Sequence, residues 1–193
     1  EASSLTSITI PASVTSIGRF VFYKASSLTS VTFEANSQLT SIGDYVFNST
    51  TALTSVTFAE GSKLTSIGNF AFQNATSLTS IIIPEGVTSM GYNAFYEVTS
   101  LTSITFEENS QLTSIGSHAF YGASSLTSIN IPASVISIGE AVFLVATSLT
   151  SVTFEENSQL TSIGYEAFYG ASSLTSITIP ASVASIGYEA FGH

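Results

Sequence analysis

The sequence predicts a mainly β repeat solenoid, a single domain of short strands stacked coil upon coil. Three observations carry this. The phrase Leu-Thr-Ser-(Ile/Val) returns with its leucine at Leu5, Leu28, Leu53, Leu78, Leu101, Leu126, Leu149 and Leu174. The phrase Ser-Ile-Gly returns with its glycine at Gly18, Gly43, Gly68, Gly91, Gly116, Gly139, Gly164 and Gly187, and only Met90 replaces the isoleucine. Each unit then closes on a phenylalanine, from Phe22 through Phe191. Self-similarity at a fixed period of this size marks a stacked-coil architecture. The domain spans residues 1–193, with units starting near the eight leucines and no polar capping unit at either end. Solenoid ends need covering, so the expectation is either a fragment of a longer chain or ends covered by further copies.

Within one unit, Ile129 and Ile131 alternate with polar neighbours, the period of a half-buried strand. Pro132 stops that strand, because it has no ladder N–H. Val135 to Gly139 is a second short extended segment, and Gly139 is expected to supply a tight turn with permissive backbone angles. Glu140 to Phe143 reads as a turn that aims Val142 and Phe143 inward. No segment has the length or the period of a helix. The units come in two lengths, 23 and 25 residues. Short units use Ile-Pro-Ala-Ser-Val (Ile10, Ile131, Ile179) or Ile-Pro-Glu-Gly-Val (Ile83), and long units use Phe-Glu-Glu-Asn-Ser-Gln-Leu (Phe106, Phe154) or variants of it (Phe33, Phe58). The two extra residues lie in a turn, where they leave a stacked core unchanged.

Composition excludes several functions. Only 8% of residues are charged, the net charge is −10, and Arg19, Lys24 and Lys63 are the only basic residues, so binding to nucleic acid phosphates is excluded. There is no Cys, hence no disulfide framework or thiolate metal site. The longest apolar run is Ala141 to Ala146, too short to cross a bilayer as a helix. No signal peptide opens the segment.

The whole unit, Leu-x-x-Ile-x-Ile-Pro-x-x-Val-x-x-Ile-Gly-x-x-Ala-Phe, resembles the BspA-like leucine-rich repeats of bacterial and protist surface proteins. The resemblance covers the chain eight times. It implies a right-handed solenoid with parallel strands on one face, and an extracellular or cell-surface, non-catalytic protein used in adhesion or binding. The family often carries Cys three residues after the Phe. Here Ala25, Thr50, Ala75, Val98, Ala123, Ala146 and Ala171 take those positions, so no role of that Cys carries over.

Chemistry-bearing residues are sparse. His118 sits in a slot that other units fill with Phe20, Tyr45, Phe70, Asn93, Ala141 or Glu166, and reads as an exposed surface histidine. His193 is the final residue. No nucleophile elbow, phosphate loop or histidine pair is present, so no catalytic, cofactor or metal residue is assigned and no enzyme activity is expected. Glu107–Glu108 and Glu155–Glu156, with Glu34 and Glu60 in equivalent turns, read as a solvated acidic edge, with weak calcium binding the alternative.

The chain contains 36 Ser and 25 Thr. Alternation places two columns on the outer face of the first strand: Ser7, Ser30, Ser55, Ser103, Ser151 and Ser176, then Thr9, Thr32, Thr57, Thr105, Thr153 and Thr178. Ile82 and Asn130 interrupt the second. The columns suit exposed strands on propensity alone. They also fit glycan decoration, for which Asn48 and Asn74 are sequons. An ice-binding array is the lesser alternative. Tyr23, Tyr96, Tyr121 and Tyr169 make an aromatic edge that covers the end of the core. The expected partners are a surface protein or glycan bound repetitively, or further copies stacked head to tail into a fibre.

Overall fold

The computed structural model describes residues 4–192. Each coil carries one longer strand and one two-residue strand. In chain order these are β1 (Ser7–Ile10) and β2 (Ser16–Ile17), β3 (Ser30–Phe33) and β4 (Ser41–Ile42), β5 (Ser55–Thr57) and β6 (Ser66–Ile67). There follow β7 (Ser80–Ile83) and β8 (Ser89–Met90), β9 (Ser103–Phe106) and β10 (Ser114–Ile115), β11 (Ser128–Ile131) and β12 (Ser137–Ile138). The last are β13 (Ser151–Phe154), β14 (Ser162–Ile163) and β15 (Ser185–Ile186). Every pairing is parallel and joins equivalent residues of successive coils, as Ser7 with Ser30 and Ile8 with Val31. The chain is therefore a parallel β-solenoid of eight coils without helix among the described residues, as the repeat predicts.

The apolar residues form continuous columns. Phe47, Phe72, Phe95, Phe120, Phe143 and Phe168 are fully buried. Their rings stack nearly parallel with centroids 4.9–5.5 Å apart. That repeat matches the spacing of stacked strands, so the column takes one ring per coil. The slot three residues after each Phe is also core: Ala25, Ala75, Val98, Ala123 and Ala146 are fully buried. Thr50 is buried there too, and its hydroxyl donates to the Phe47 carbonyl at 2.7 Å.

Two expectations are corrected. The first concerns the glycines. Gly139 and its equivalents do not adopt left-handed backbone angles; among glycines only Gly61, Gly122 and Gly170 do. These columns need glycine because the neighbouring coil's backbone passes where a side chain would stand. A Cβ on Gly116 would lie 2.6 Å from the Gly91 carbonyl oxygen, and one on Gly139 would lie 2.6 Å from the Ser117 nitrogen. The left-handed positions fall two and six residues later, on Phe20 and Lys24, Tyr45 and Ser49, Ala141 and Val145, and their equivalents. Left-handed angles cost a non-glycine residue about 1–2 kcal/mol. Here they turn alternate N–H groups toward the next coil: Phe20 donates to Asp44, Phe22 to Val46 and Lys24 to Asn48 at 2.9–3.2 Å.

The second correction concerns the longer strands. An eighth was expected at Ser176–Thr178, but residues 174–180 form no strand. The short strands make one unbroken eight-stranded sheet, the back ladder. The longer strands, the front ladder, divide into sheets of three (β1, β3, β5) and four (β7, β9, β11, β13). The breaks follow unit length. At each short-to-long step all four residues pair: β1–β3, β7–β9 and β11–β13. At the long-to-short steps, β5–β7 does not pair, β9–β11 pairs only at Ser103–Ser128, and β13 gains no partner from the eighth coil.

Proline removes one donor at each long-to-short step. At short-to-long steps the residue after the strand donates its N–H back one coil: Glu34 to Ile10, Glu107 to Ile83, and Glu155 to Ile131, at 3.0–3.1 Å. At long-to-short steps that residue is Pro84, Pro132 or Pro180, which has no N–H. Pro132 thus does not end its own strand's pairing with β13; it removes the bond toward β9.

Candidate functional site

The front face carries the two hydroxyl columns where alternation placed them. Thr9, Thr32, Thr57, Thr105, Thr153 and Thr178 are exposed, as are Ser7, Ser55, Ser103 and Ser176, while Ser30 and Ser151 are half-buried. The register holds Thr9 beside Thr32 and Thr32 beside Thr57. Among the described residues, Thr153 is the one of these threonines whose hydroxyl bonds to protein, donating to Asn130 Oδ1 at 2.8 Å. The hydroxyls of Thr9, Thr32, Thr57 and Thr105 make no side-chain bond to the described residues and stand free to water or a ligand. Ile82 interrupts the column as an apolar residue, 56% exposed.

A different chemistry governs the threonine that follows the leucine in five coils, at Thr29, Thr54, Thr102, Thr127 and Thr150. Thr29 Oγ1 donates to the Thr6 carbonyl at 2.8 Å, Thr54 to Thr29 at 3.0 Å, Thr102 to Thr79 at 3.0 Å and Thr150 to Thr127 at 3.0 Å. The threonines of the second segment do the same, as Thr65 to Thr40 at 2.9 Å and Thr113 to Thr88 at 3.0 Å. These hydroxyls staple coil to coil and are spent. The sequence does not separate the two populations, since both are exposed threonines at equivalent intervals.

The turn carboxylates also have a structural task. Glu34 Oε2 accepts the Ala12 N–H, Glu107 Oε2 the Glu85 N–H and Glu155 Oε2 the Ala133 N–H, each at 3.0 Å. Each clamps the shorter turn of the coil before it. The signal was present in the sequence: where the preceding unit is long, Ala59 replaces the acid. Glu60, Glu85, Glu107 and Glu108 line a shallow notch where the short fourth turn lies between two longer ones. Among the described residues, no three His, Asp or Glu groups gather closely enough to hold a metal ion.

His118 is half-buried, which corrects its reading as an exposed residue. Its ring meets Tyr92 edge-on at 5.3 Å and lies 6.2 Å from Tyr121. Its Nδ1 and the Oδ1 of Asn93, one coil earlier in the same column, are buried without a hydrogen-bond partner. Along this edge Phe20, Tyr45 and Phe70 stack at 4.5–4.8 Å, and Tyr96 stacks on Tyr121 at 4.5 Å. Burial raises the Tyr96 pKa, with Tyr121 and Glu97 adding to it. Tyr165 and Tyr188 are exposed, and hydrogen bonds to Glu166 and Glu189 respectively raise their pKa values, that of Tyr165 to about 12. His193 lies outside the described residues.

The two sequons differ. Asn48 is buried, with Nδ2 donating to Gln73 at 2.7 Å and Oδ1 accepting from Ser49. A glycan on that nitrogen requires the coil to open. Asn74 is half-buried in a left-handed turn.

No curated protein matches this chain. Among solved structures, the Treponema pallidum leucine rich repeat protein is similar, with a TM-score of 0.77 and 22% identity over 88% of this chain and 78% of that one. The pneumococcal vaccine antigen PcpA gives a TM-score of 0.51 and 22% identity over 94% of this chain and 58% of its own. A leucine rich cell surface protein of Faecalibacterium prausnitzii shares 27% identity over 97% of this chain and 70% of that one, with a TM-score of 0.44. The family model described as BspA type leucine rich repeat region matches residues 1–111 and 65–193, with six copies. Those spans include both unit lengths, every buried column and both strand ladders. The chain belongs to the BspA-type leucine-rich repeat family.

Proposed function

We propose that this chain is a non-catalytic extracellular or cell-surface scaffold, binding protein or glycan repetitively through its front face. The observation that carries the reading is the column of free hydroxyls at Thr9, Thr32 and Thr57, held in strand register, with the free Thr105 hydroxyl beyond Ile82 in the second front sheet. A recognition surface for one aperiodic ligand would vary between coils. This face repeats, so its binding is weak per coil and strong by avidity. A polar face with few charges suits a neutral glycan or a hydroxyl-rich protein surface. The family supports the location.

The test is a glycan array and whole-cell binding assay with the native chain and a series bearing Thr32→Glu, then Thr57→Glu, then Thr105→Glu. Each step is expected to lower binding by a further several-fold. Binding that the triple variant leaves unchanged overturns the front-face reading. Filaments in electron micrographs of the native chain, in place of binding, would favour the alternative of copies stacking head to tail.

A further inference from the structure

The step from the seventh coil to the eighth opens a cleft of about 620 Å³ on the front face. One wall is Thr150 and the β13 residues Val152 and Phe154; the other is the extended segment through Ile177, Thr178 and Pro180. The two coils stay joined behind it. Gly187 donates to Ile163 at 2.8 Å and Phe168 to Ala190 at 2.7 Å, so the opening is a wedge hinged at the back.

One edge of β13 is fully used, pairing with β11 over four residues. The other edge is bare. One coil earlier, the Thr127 and Ile131 carbonyls accept the N–H groups of Thr150 and Glu155 at 2.9 and 3.0 Å. Their counterparts in the seventh coil, the Thr150 and Phe154 carbonyls, receive no donor among the described residues. Pro180 stands where the Phe154 donor would be and has no N–H to give. An open strand edge beside apolar side chains is a template for another strand. Glu155 is the only charged residue lining the cleft, and no base among the described residues neutralises it. Its Oε1 is 3.5 Å from the Asn130 amide and its Oε2 holds the Ala133 N–H.

We propose that this cleft is a strand-addition site for an extended, cationic segment of a partner polypeptide lying parallel to β13. The segment's N–H groups reach the Thr150 and Phe154 carbonyls. Alternate side chains, apolar and no larger than Phe, face Val152 and Ile177, and the intervening ones are small and polar. A Lys or Arg at the C-terminal end meets Glu155. Main-chain bonds supply the affinity and alternate side chains the selectivity, as in other strand additions. The cleft volume falls within the ~300–1,000 Å³ of ordinary ligand sites. The proposal goes beyond the scaffold reading, since it concerns one coil step and not the repeating hydroxyl columns.

The probe is the acetylated peptide Thr-Ser-Val-Thr-Phe-Lys, which copies Thr150 and β13 and ends in lysine. Titration into the full chain, followed by NMR, is expected to give saturable shifts confined to residues 150–155 and 176–182. N-methylation of alternate peptide amides is expected to weaken binding at least ten-fold, and replacing the lysine by glutamate several-fold. Ile177→Trp fills the cleft and should abolish binding, while Pro180→Ala supplies the missing N–H and should weaken it. Absence of saturable shifts overturns the proposal, as does binding that survives both N-methylation and Ile177→Trp. Thr32→Glu, Thr57→Glu and Thr105→Glu leave peptide binding unchanged, so failure here and failure of the front-face reading are separately visible.

Discussion

The front and back ladders are built from the same coils and behave differently. The back ladder pairs without interruption from β2 to β15, while the front ladder thins to one residue pair or breaks at long-to-short steps. Every back strand is Ser-Ile or Ser-Met followed by glycine, whatever the unit length. Front strands run into proline or glutamate, or into Ala59 in the third coil. One ladder therefore offers the same donors at every step, and the other loses a donor whenever a short unit follows a long one. Pairing in a solenoid is directional, so a proline weakens the interface with one neighbour and spares the other.

The largest effect is expected from breaking the continuous ladder. Gly116→Val puts a side chain against the Gly91 backbone, with a loss of about 3 kcal/mol in chemical denaturation. The same substitution at Gly18, where a Cβ meets nothing within 4 Å, should cost far less.

The clamps of the front ladder come next. Glu107→Ala frees the Glu85 N–H and should cost about 1 kcal/mol. Ala59→Glu should gain nothing, because the preceding coil is already long. Equal effects at both positions would show that the acids act through general charge and not through the shorter turn.

Val145→Gly relieves a β-branched residue at φ 54° and should stabilise by about 1 kcal/mol. The equivalents Gly122 and Gly170 already have glycine there. Pro132→Ala should extend the pairing of β9 with β11 beyond Ser103–Ser128. Its gain of about 1 kcal/mol from a new bond is offset by the greater freedom of the unfolded chain. The sharper readout is hydrogen exchange, in which the backbone amide that the substitution introduces should be protected.

The smallest effect concerns Tyr165. Its folded pKa is raised above the unfolded value near 10, mainly by donation to Glu166. The associated stability is fully present below pH 10 and is lost as pH rises toward 12. Tyrosine absorbance should show Tyr165 among the late-ionising rings, and Glu166→Gln should bring its ionisation earlier.

Much of this was legible in the chain. The period, the strands, the buried columns and the outward Thr9 and Thr32 columns follow from where Leu, Ile and Phe recur. Misreadings arose where a residue's task lies in the next coil. Gly139 reads as a turn from its own neighbours, yet its constraint comes from Ser117. His118 reads as exposed because its slot varies, yet Tyr92 and Tyr121 enclose it. Thr29 and Thr32 look equivalent, yet one hydroxyl is spent on a carbonyl and the other is free.

By itself the sequence determined the coil, because alternation and phenylalanine spacing set which atoms leave water, and burial of apolar surface does not depend on fine geometry. The tertiary structure decided which hydroxyls are satisfied, which carboxylates clamp, and where the front ladder opens. Those outcomes are hydrogen bonds between residues 22 to 25 positions apart, and a hydrogen bond depends on direction within a few tenths of an ångström. The alternation of short and long units was written in the chain, but only the stacked coils turn it into a bare strand edge beside Pro180.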